Sequence, residues 1–433
     1  MDDLTYGEWL RKNVETHGTA GGIVANLYQT AKFDIGQGAF RPTWWLYAST
    51  FYLLAPGAAY AVRLFMVLAS VFALPYVIVR RQKLSSAYFS FLALLLLSNF
   101  SIYCGLGLAS LQETTGIVLS GLGLSVFFWA PGSTAALLLG SAFIFGAAAV
   151  KPPFIWLAFS VVGFLFLRGK KSLALAQLLL SVVLFLVIFR WSQYGHYTSR
   201  IYNLDGHIWM LTCKNFFRMF KYPAFLLLMD YLLVKAPEGA ADQKRFSIHF
   251  ALLCLGGGLL YLLNLVPWGS DSYHFAPPIY LISIGCFVAL RARKHEIFAK
   301  AVFSRRTAER VSLALFVVVA GFVFMRQSRD TYYGNTSMIA LRDWGLSIPQ
   351  EGVRFCIDGL EPAYSFPKLM VLRSGGQWHN STKMVTTLAD IGECDYVATF
   401  ISGTLFPAMK EKQMIEVTLK ESPYIRIFKV SSL

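Results

Sequence analysis

The polar residues of this chain that could do chemistry stand at the borders of long apolar runs. Three carboxylates, Asp2, Asp3 and Glu113, have the type needed to take a proton from a hydroxyl group. Cationic and imidazole side chains, which can neutralise charge developing on a phosphate, occur at similar borders. The candidates for such phosphate contacts are Lys151, Arg200 and His274. Arg41, His207 and Asp271 are further candidates for contacts with a substrate.

Each candidate also has a plain structural interpretation. The Asp2-Asp3 pair could be an ordinary solvated terminus, and Arg41 could contact lipid phosphates beside an aromatic belt formed by Trp44 and Trp45. Glu113 at the outer end of an apolar run could reach water by snorkelling. Arg63 and Asp230, which lie near the ends of apolar runs, could also reach water by snorkelling, and His274 could be an ordinary interfacial histidine. Lys151 lies in a very short turn and needs a partner if it is buried.

The apolar runs that must position these residues are too long and too numerous for a soluble core. The 433-residue chain is 56% hydrophobic and only 15% charged, against about 25% charged residues in soluble domains. A helix crossing the hydrocarbon core needs about 20 apolar residues. The sequence predicts an α-helical polytopic membrane protein with ten spans, at 57–79, 86–106, 111–130, 133–149, 152–168, 172–191, 219–235, 247–268, 275–292 and 310–326.

Basic residues alternate between the two sets of connecting loops, which predicts the orientation. One set is rich in Lys and Arg and is therefore expected in the cytoplasm. Residues 1–56 and 327–433 are then both extracytoplasmic, in the cytoplasmic (inner) membrane. The basic set comprises Arg80, Arg81, Lys83, Arg168, Lys170, Lys171, Lys235, Lys244, Arg245 and the cluster between Arg291 and Arg310. The net charge of +15 follows from these loops, so nucleic acid is not expected as a partner.

Residues 1–56 are predicted to form an extracytoplasmic loop, in which 42–55 is a helix lying at the membrane interface. The segment lacks an apolar run that could carry it across the membrane. We therefore expect a further helix upstream of Met1, with an unusually translocated head as the alternative.

Residues 327–433 are predicted to form a small extracytoplasmic α/β domain. The patterns indicate helices at 336–346 and 381–390, strands at 353–358 and 396–401, and a hairpin over 414–430. Cys356 and Cys394 could form a disulfide if this region faces an oxidising compartment.

Several short motifs resemble the glycosyltransferase-C superfamily, the multi-span enzymes that use polyprenyl-phosphate sugars. Asp2-Asp3 stands where that family has an acidic residue or pair, provided that one helix precedes it. The other similar segments are Ala-Phe-Arg-Pro-Thr-Trp-Trp at 39–45, Leu-Gln-Glu-Thr at 111–114, Lys-Pro-Pro at 151–153 and Asp-Ser-Tyr-His-Phe-Ala-Pro at 271–277.

The resemblance implies transfer of a sugar from a polyprenyl-phosphate donor to an extracytoplasmic lipid or cell-envelope glycan. Asp2 or Asp3 would be the base, and Glu113 would support the acceptor or a divalent cation such as Mg²⁺ or Mn²⁺. Arg41, Lys151, Arg200, His207, Asp271 and His274 would contact substrates. Two alternatives stay open: a transporter or flippase of an envelope lipid, and an inactive truncated relative that acts as an assembly partner.

Overall fold

The computed structural model divides the chain into two compact units, 2–324 and 325–433 together with residue 1, which are described separately. The residues described are 2–36, 39–51, 53–54, 56–82, 84, 86–97, 111–192, 206–233, 241–265, 272–297, 343–348, 352–358, 380–385, 388–400, 405–412, 414–417, 422 and 424–430, with isolated positions between 307 and 341.

The larger unit is helical. Its helices are α1 (Asp2–Gly36), α2 (Pro42–Phe51), α3 (Pro56–Arg81), α4 (Ser86–Leu97), α5 (Leu111–Trp129), α6 (Thr134–Val150), α7 (Ile155–Leu167), α8 (Lys171–Ser192), α9 (Gly206–Leu233), α10 (Ala241–Leu265) and α11 (Ala276–Ile297). Short 3₁₀ turns at Pro152–Phe154 and Ser272–Phe275 precede α7 and α11. Each of the first nine predicted apolar runs has its described residues in one of these helices or in the 3₁₀ turn before it, except for the terminal residues Ala130, Ser133 and Arg168. The described positions of the tenth, between 310 and 325, are also helical.

Packed helices run in opposite directions in the pairs α5–α6 and α10–α11, and the unit has two distinct ends. At one end the Arg81 guanidinium of α3 donates to the carbonyl of Trp129, the last residue of α5. At the other end Trp156, near the start of α7, donates its indole N–H to Asn264 Oδ1, near the end of α10, at 3.3 Å. Loops that the charge pattern assigned to one side therefore meet at one end.

Small residues let two of these helices approach closely. A Cβ on Gly123 of α5 would lie 2.7 Å from the carbonyl oxygen of Gly140 on α6, and one on Gly140 would lie 2.6 Å from the Phe127 ring. Close backbone approach through glycine is typical of helices packed in a bilayer, where the hydrophobic effect does not drive association.

Two described helical segments are long and apolar enough to cross a membrane, Lys171–Arg190 and Asp242–Leu265. Only 17% of the apolar stretch within Lys171–Arg190 is buried. Residues such as Leu179 and Val183 are 59% exposed. Exposed apolar residues along the length of a helix indicate a contact with lipid or with another protein.

The head of the chain differs from the predicted loop because most of it is helical. Helix α1 consists of two halves that meet at Gly18, whose positive φ of 69° is easily adopted only by glycine. Contacts between Asn13 and Gln29, at 2.9 Å, and between the rings of Trp9 and Phe33 show that the halves fold back on each other. Because the two halves are antiparallel, the first turn of α1 lies on the same side as its last turn.

The predicted helix within 42–55 is α2, and one of its faces packs against the rest of the helical unit. Trp44 is 1% exposed and packs with Ala48, Phe51 and Val150. This tryptophan therefore belongs to the core of the helical unit, whereas Leu46 on the same helix is 58% exposed.

The smaller unit contains a mixed sheet in the order β2-β1-β3-β5-β4. Its strands are β1 (Arg354–Asp358), β2 (Ser381–Val385), β3 (Tyr396–Phe400), β4 (Ile415–Val417) and β5 (Ile425–Lys429), and a short helix, α12, spans Phe406–Glu411. Strands β1, β2 and β3 are parallel, while β4 and β5 form the predicted antiparallel hairpin.

The prediction of a helix over 381–390 was wrong, because 381–385 is the edge strand β2 and a 3₁₀ turn follows at Leu388–Glu393. Five residues of β2 pair in register with β1, so sheet pairing overrides the local pattern.

The two cysteines of this unit, Cys356 and Cys394, form a disulfide that joins β1 to the residue two positions before β3. Beside it, buried Asp358 accepts hydrogen bonds from Thr399 Oγ1 at 2.8 Å and from the Leu405 backbone N–H at 3.2 Å. The disulfide ties β1 to the segment before β3, and Asp358 ties β1 to β3 itself and to the segment that follows it.

Candidate functional site

Three of the residues singled out in the sequence meet at one end of the helical unit. The Glu113 carboxylate lies 2.5 Å from Lys151 Nζ and 3.0 Å from His274 Nδ1, and both contacts are made by the same oxygen, Oε1. The Glu113 side chain is 3% exposed, whereas those of Lys151 and His274 are 18% and 24% exposed. The carboxylate is therefore enclosed, and the two nitrogen-bearing side chains are reachable from outside.

Local sequence explains why these three side chains converge. Glu113 lies in the first turn of α5. Lys151 ends α6 in an extended conformation (φ −138°, ψ 113°), which the following Pro152 favours because proline disfavours helical geometry in the residue before it. His274 lies in the 3₁₀ turn immediately before α11. Helix termini from three separate segments thus bring their polar residues to the same end.

A second polar network lies next to the first and centres on buried Asp34, near the end of α1. Arg41 binds both carboxylate oxygens of Asp34, through Nη2 at 2.5 Å and Nε at 3.1 Å. Trp45 donates its indole N–H to Asp34 Oδ2 at 2.7 Å. Arg41 Nη1 also donates to Gln112 Oε1 at 2.5 Å, and Gln112 directly precedes Glu113. The head of the chain is therefore connected to the Glu113 cluster.

Tyr261 of α10 adds a polar group near this cluster. Its ring centre lies 5.1 Å from that of Phe154, which in turn packs against Gly116, three residues after Glu113. Tyr261 is fully buried, and its hydroxyl oxygen has no hydrogen-bond partner within the described part of the chain. A buried hydroxyl without a partner costs free energy, so it is a natural place for a bound polar group.

The opposite half of the bundle contains a separate buried ion pair between Asp230 of α9 and Arg291 of α11. Asp230 is 1% exposed and Arg291 is 6% exposed. The Arg291 guanidinium carbon lies 4.3 Å from the centre of the Tyr88 ring. The prediction that Asp230 snorkels to water was therefore wrong, because a partner inside the bundle neutralises its charge.

The structure brings together four of the predicted site residues: Glu113, Lys151 and His274 directly, and Arg41 through Gln112. The backbones of Asp2 and Asp3 begin α1, and His207 lies in α9, but their side chains fall outside what the structure describes. Arg200 and Asp271 lie outside the described residues. The substrate roles of all these residues stay predictions.

The sequence reasoning missed Asp34, Gln112, Trp45 and Tyr261 as parts of this region. The only local signal for Asp34 is an acidic residue seven positions before Arg41. A spacing of seven places two residues on one face of a continuous helix, but α1 ends at Gly36, before Arg41. Tyr261 gave no signal at all, being one tyrosine within an apolar helix.

A divalent cation fits this arrangement poorly. The two buried carboxylates here, on Asp34 and Glu113, are each bound by a cation of the protein itself, Arg41 and Lys151. Across the described residues, no group of three His, Cys, Asp or Glu side chains converges to hold a metal. We derive no step through a metal ion.

Comparisons with family models, with curated proteins and with solved structures found no match for this chain.

Proposed function

We propose that this chain is an integral-membrane glycosyltransferase that moves a sugar from a polyprenyl-phosphate donor to an extracytoplasmic lipid or cell-envelope glycan. The observation that carries the proposal is the convergence of Glu113, Lys151 and His274 at one end of the helical unit. Their enclosed carboxylate and two accessible nitrogen-bearing groups suit the phosphate of a donor whose lipid tail stays in the bilayer.

In this proposal the chain crosses the cytoplasmic membrane about ten times, with residues 1–56 and 327–433 outside. Three observations support it: the antiparallel packing of α5–α6 and α10–α11, the exposed apolar surface of α8, and the close glycine contact between α5 and α6. The disulfide between Cys356 and Cys394 supports an extracytoplasmic location for the smaller unit, since structural disulfides persist in oxidising compartments.

The chemistry assigns different roles to the anionic and cationic groups. A carboxylate base removes the proton of the acceptor hydroxyl as its oxygen attacks the anomeric carbon, and the bond to the phosphate oxygen breaks. Lys151 and His274 stabilise the negative charge that develops on the departing polyprenyl phosphate. Glu113, which is enclosed and ion-paired, positions both groups and is a poor base because Lys151 stabilises its ionised form.

The base remains assigned to Asp2 or Asp3. The fold-back of α1 at Gly18 supports this, because it directs the start of the helix toward Asp34 and Arg41. The Arg41 network connects that region to Gln112 and Glu113. Arg200, His207 and Asp271 remain candidates for further contacts with the donor or acceptor.

The test is release of free polyprenyl phosphate from a panel of polyprenyl-phosphate sugars by the full chain in lipid nanodiscs with envelope acceptors. Wild-type protein should release it, and His274→Gln should reduce release about 10²-fold or more. Glu15→Gln, an exposed carboxylate on α1, serves as the control and should retain activity. Equal activity in His274→Gln and wild type would contradict the site; no release with any donor would contradict the function.

A second candidate, a transporter or flippase of an envelope lipid, is favoured by the Asp230–Arg291 pair. Ionisable residues buried among membrane helices are often part of substrate or ion pathways. The same nanodisc preparation distinguishes the two functions, because a flippase would move the donor between leaflets without releasing polyprenyl phosphate.

A further inference from the structure

The end of the helical unit opposite Glu113 contains an open cleft of about 750 Å³. Three arginines from three separate connections line it: Arg81 at the end of α3, Arg168 after α7, and Arg245 in the second turn of α10. Asp242 is the acidic residue in the lining. The cleft thus carries a net excess of positive charge and lies far from the groups assigned to sugar transfer.

Two of the arginines are held in place by packing against one aromatic ring. The guanidinium carbons of Arg81 and Arg168 lie 5.3 Å and 5.4 Å from the centre of the Phe246 ring. Arg81 is further fixed by its bond to the Trp129 carbonyl and by Gln243, which donates to the Arg81 carbonyl at 3.2 Å. Two like charges are therefore held close to one ring.

The turn that carries Arg168 is also fixed. Gly169 has a positive φ of 72°, and the backbone N–H groups of Gly169 and Lys170 bond back to the carbonyls of Phe166 and Leu165 at 2.9 Å and 3.0 Å. This pair of bonds is a Schellman motif, which ends a helix rigidly and favours glycine at the left-handed position. Arg168 is therefore presented to the cleft by a defined backbone.

The positive charge in the cleft exceeds the negative charge that the described residues bring to it. Across the described residues, none of the three arginines forms an ion pair with a carboxylate, and Arg168 Nε is buried with no hydrogen-bond partner. Arg81 and Arg168 lie close enough to repel each other. Clustered cations repel one another, and an anion bound beside them relieves that repulsion.

We propose that this cleft binds a phosphate-bearing anion. Guanidinium groups bind phosphate oxygens in a bidentate manner, and the open 750 Å³ volume admits a phosphorylated headgroup or a soluble phosphate compound. The anion neutralises the charges of Arg81 and Arg168. This site is separate from the proposed transfer site and does not depend on that function.

The experiment uses the full chain in two arms. In the first, nanodiscs of phosphatidylcholine with about one-tenth phosphatidylglycerol supply a phosphate headgroup, and the phospholipid that remains bound after transfer to mild detergent is quantified by mass spectrometry. In the second, inorganic pyrophosphate is titrated against the unfolding temperature of the protein in pure phosphatidylcholine nanodiscs at constant ionic strength. The variants are Arg168→Gln and Arg245→Gln. The control is Lys171→Gln, an exposed cation near the same end that removes the same charge.

Selective retention of phosphatidylglycerol identifies a lipid headgroup as the ligand, and stabilisation by pyrophosphate identifies a soluble anion. In either case Arg168→Gln and Arg245→Gln should weaken binding roughly tenfold or more, and Lys171→Gln should not. Arg245 is exposed, so its variant tests binding even if Arg168→Gln fails to fold. Absence of both effects in wild type, or equal loss in the lysine control, would overturn the proposal.

Discussion

Replacement of Lys151 by methionine tests whether the Glu113 cluster is held together by its charges. Methionine has a similar length and no charge, so the change removes the ion pair with little change in volume. Glu113, with a side chain only 3% exposed, would be left in the protein without its cation. His274, at 3.0 Å, would be its nearest remaining partner in the cluster.

The size of the effect follows from the distance between the two charges. At 2.5 Å and an effective dielectric constant of about 20, the attraction is about 7 kcal/mol before the cost of burial is subtracted. Removing one partner of a buried pair typically costs about 3–5 kcal/mol. We expect a loss of about 3 kcal/mol, the lower end of that range, because His274 still donates to the carboxylate.

The assay is the free energy of unfolding measured by titration with a denaturing detergent in mixed micelles. Adding Glu113→Gln to Lys151→Met should restore most of the loss, to within about 1 kcal/mol of wild type, because no unpaired charge then remains buried. Lys171→Met, an exposed control, should change stability by less than about 0.5 kcal/mol. A Lys151→Met variant as stable as wild type, or a double variant less stable than the single one, would refute the reasoning.

Three further predictions concern the supports of the site and the smaller unit. Trp45→Phe removes the 2.7 Å hydrogen bond to a buried carboxylate, so unfolding in the same titration should become easier by about 1–2 kcal/mol; an unchanged value would contradict the network. Gly123→Ala places a Cβ 2.7 Å from a carbonyl oxygen of the facing helix and should lower the free energy of unfolding by about 1–3 kcal/mol. The control Gly132→Ala, whose Cβ would meet no atom within 4 Å, should leave it unchanged in the same assay. Replacing both Cys356 and Cys394 by serine removes a disulfide that closes a loop of 38 residues. The loss should destabilise the smaller unit by about 4 kcal/mol, because the unfolded chain gains conformational entropy. Hydrogen exchange of the backbone amides in β1 and β3 should become faster, and unchanged protection would contradict this prediction.

The sequence predicts the position of a helix well wherever a long apolar run forms the whole helix. The run at 172–191 coincides with Lys171–Ser192 within one residue at each end, because length and the lack of charges are properties of the segment alone. The helical head was not predicted. Its two halves are stabilised by contacts such as Asn13 with Gln29, which depend on a turn at Gly18 that local composition does not reveal.

The same contrast applies to the candidate site. Glu113, Lys151 and His274 could be selected individually because ionisable residues at the borders of apolar runs are conspicuous. Their shared contact, through one carboxylate oxygen, depends on three helix ends meeting and could not be read from spacing. Asp230 shows the reverse error, since its burial depends on Arg291, which is 61 residues away in the chain.

The strand β2 was mistaken for a helix for a related reason. Residues 381–385 form an edge strand because β1 offers a parallel partner in register. The prediction used only local periodicity, which is weak in five residues. Strand preferences of this length are decided by neighbouring strands.

The most direct test of the central claim is the stoichiometry of transfer from a donor labelled in both its sugar and its lipid phosphate. The full chain in nanodiscs should place one labelled sugar in the acceptor fraction for each labelled polyprenyl phosphate released. His274→Gln should lose both products together, while Glu15→Gln keeps both. Movement of intact donor to the opposite leaflet, with no sugar transferred and no polyprenyl phosphate released, would contradict the account and favour a flippase.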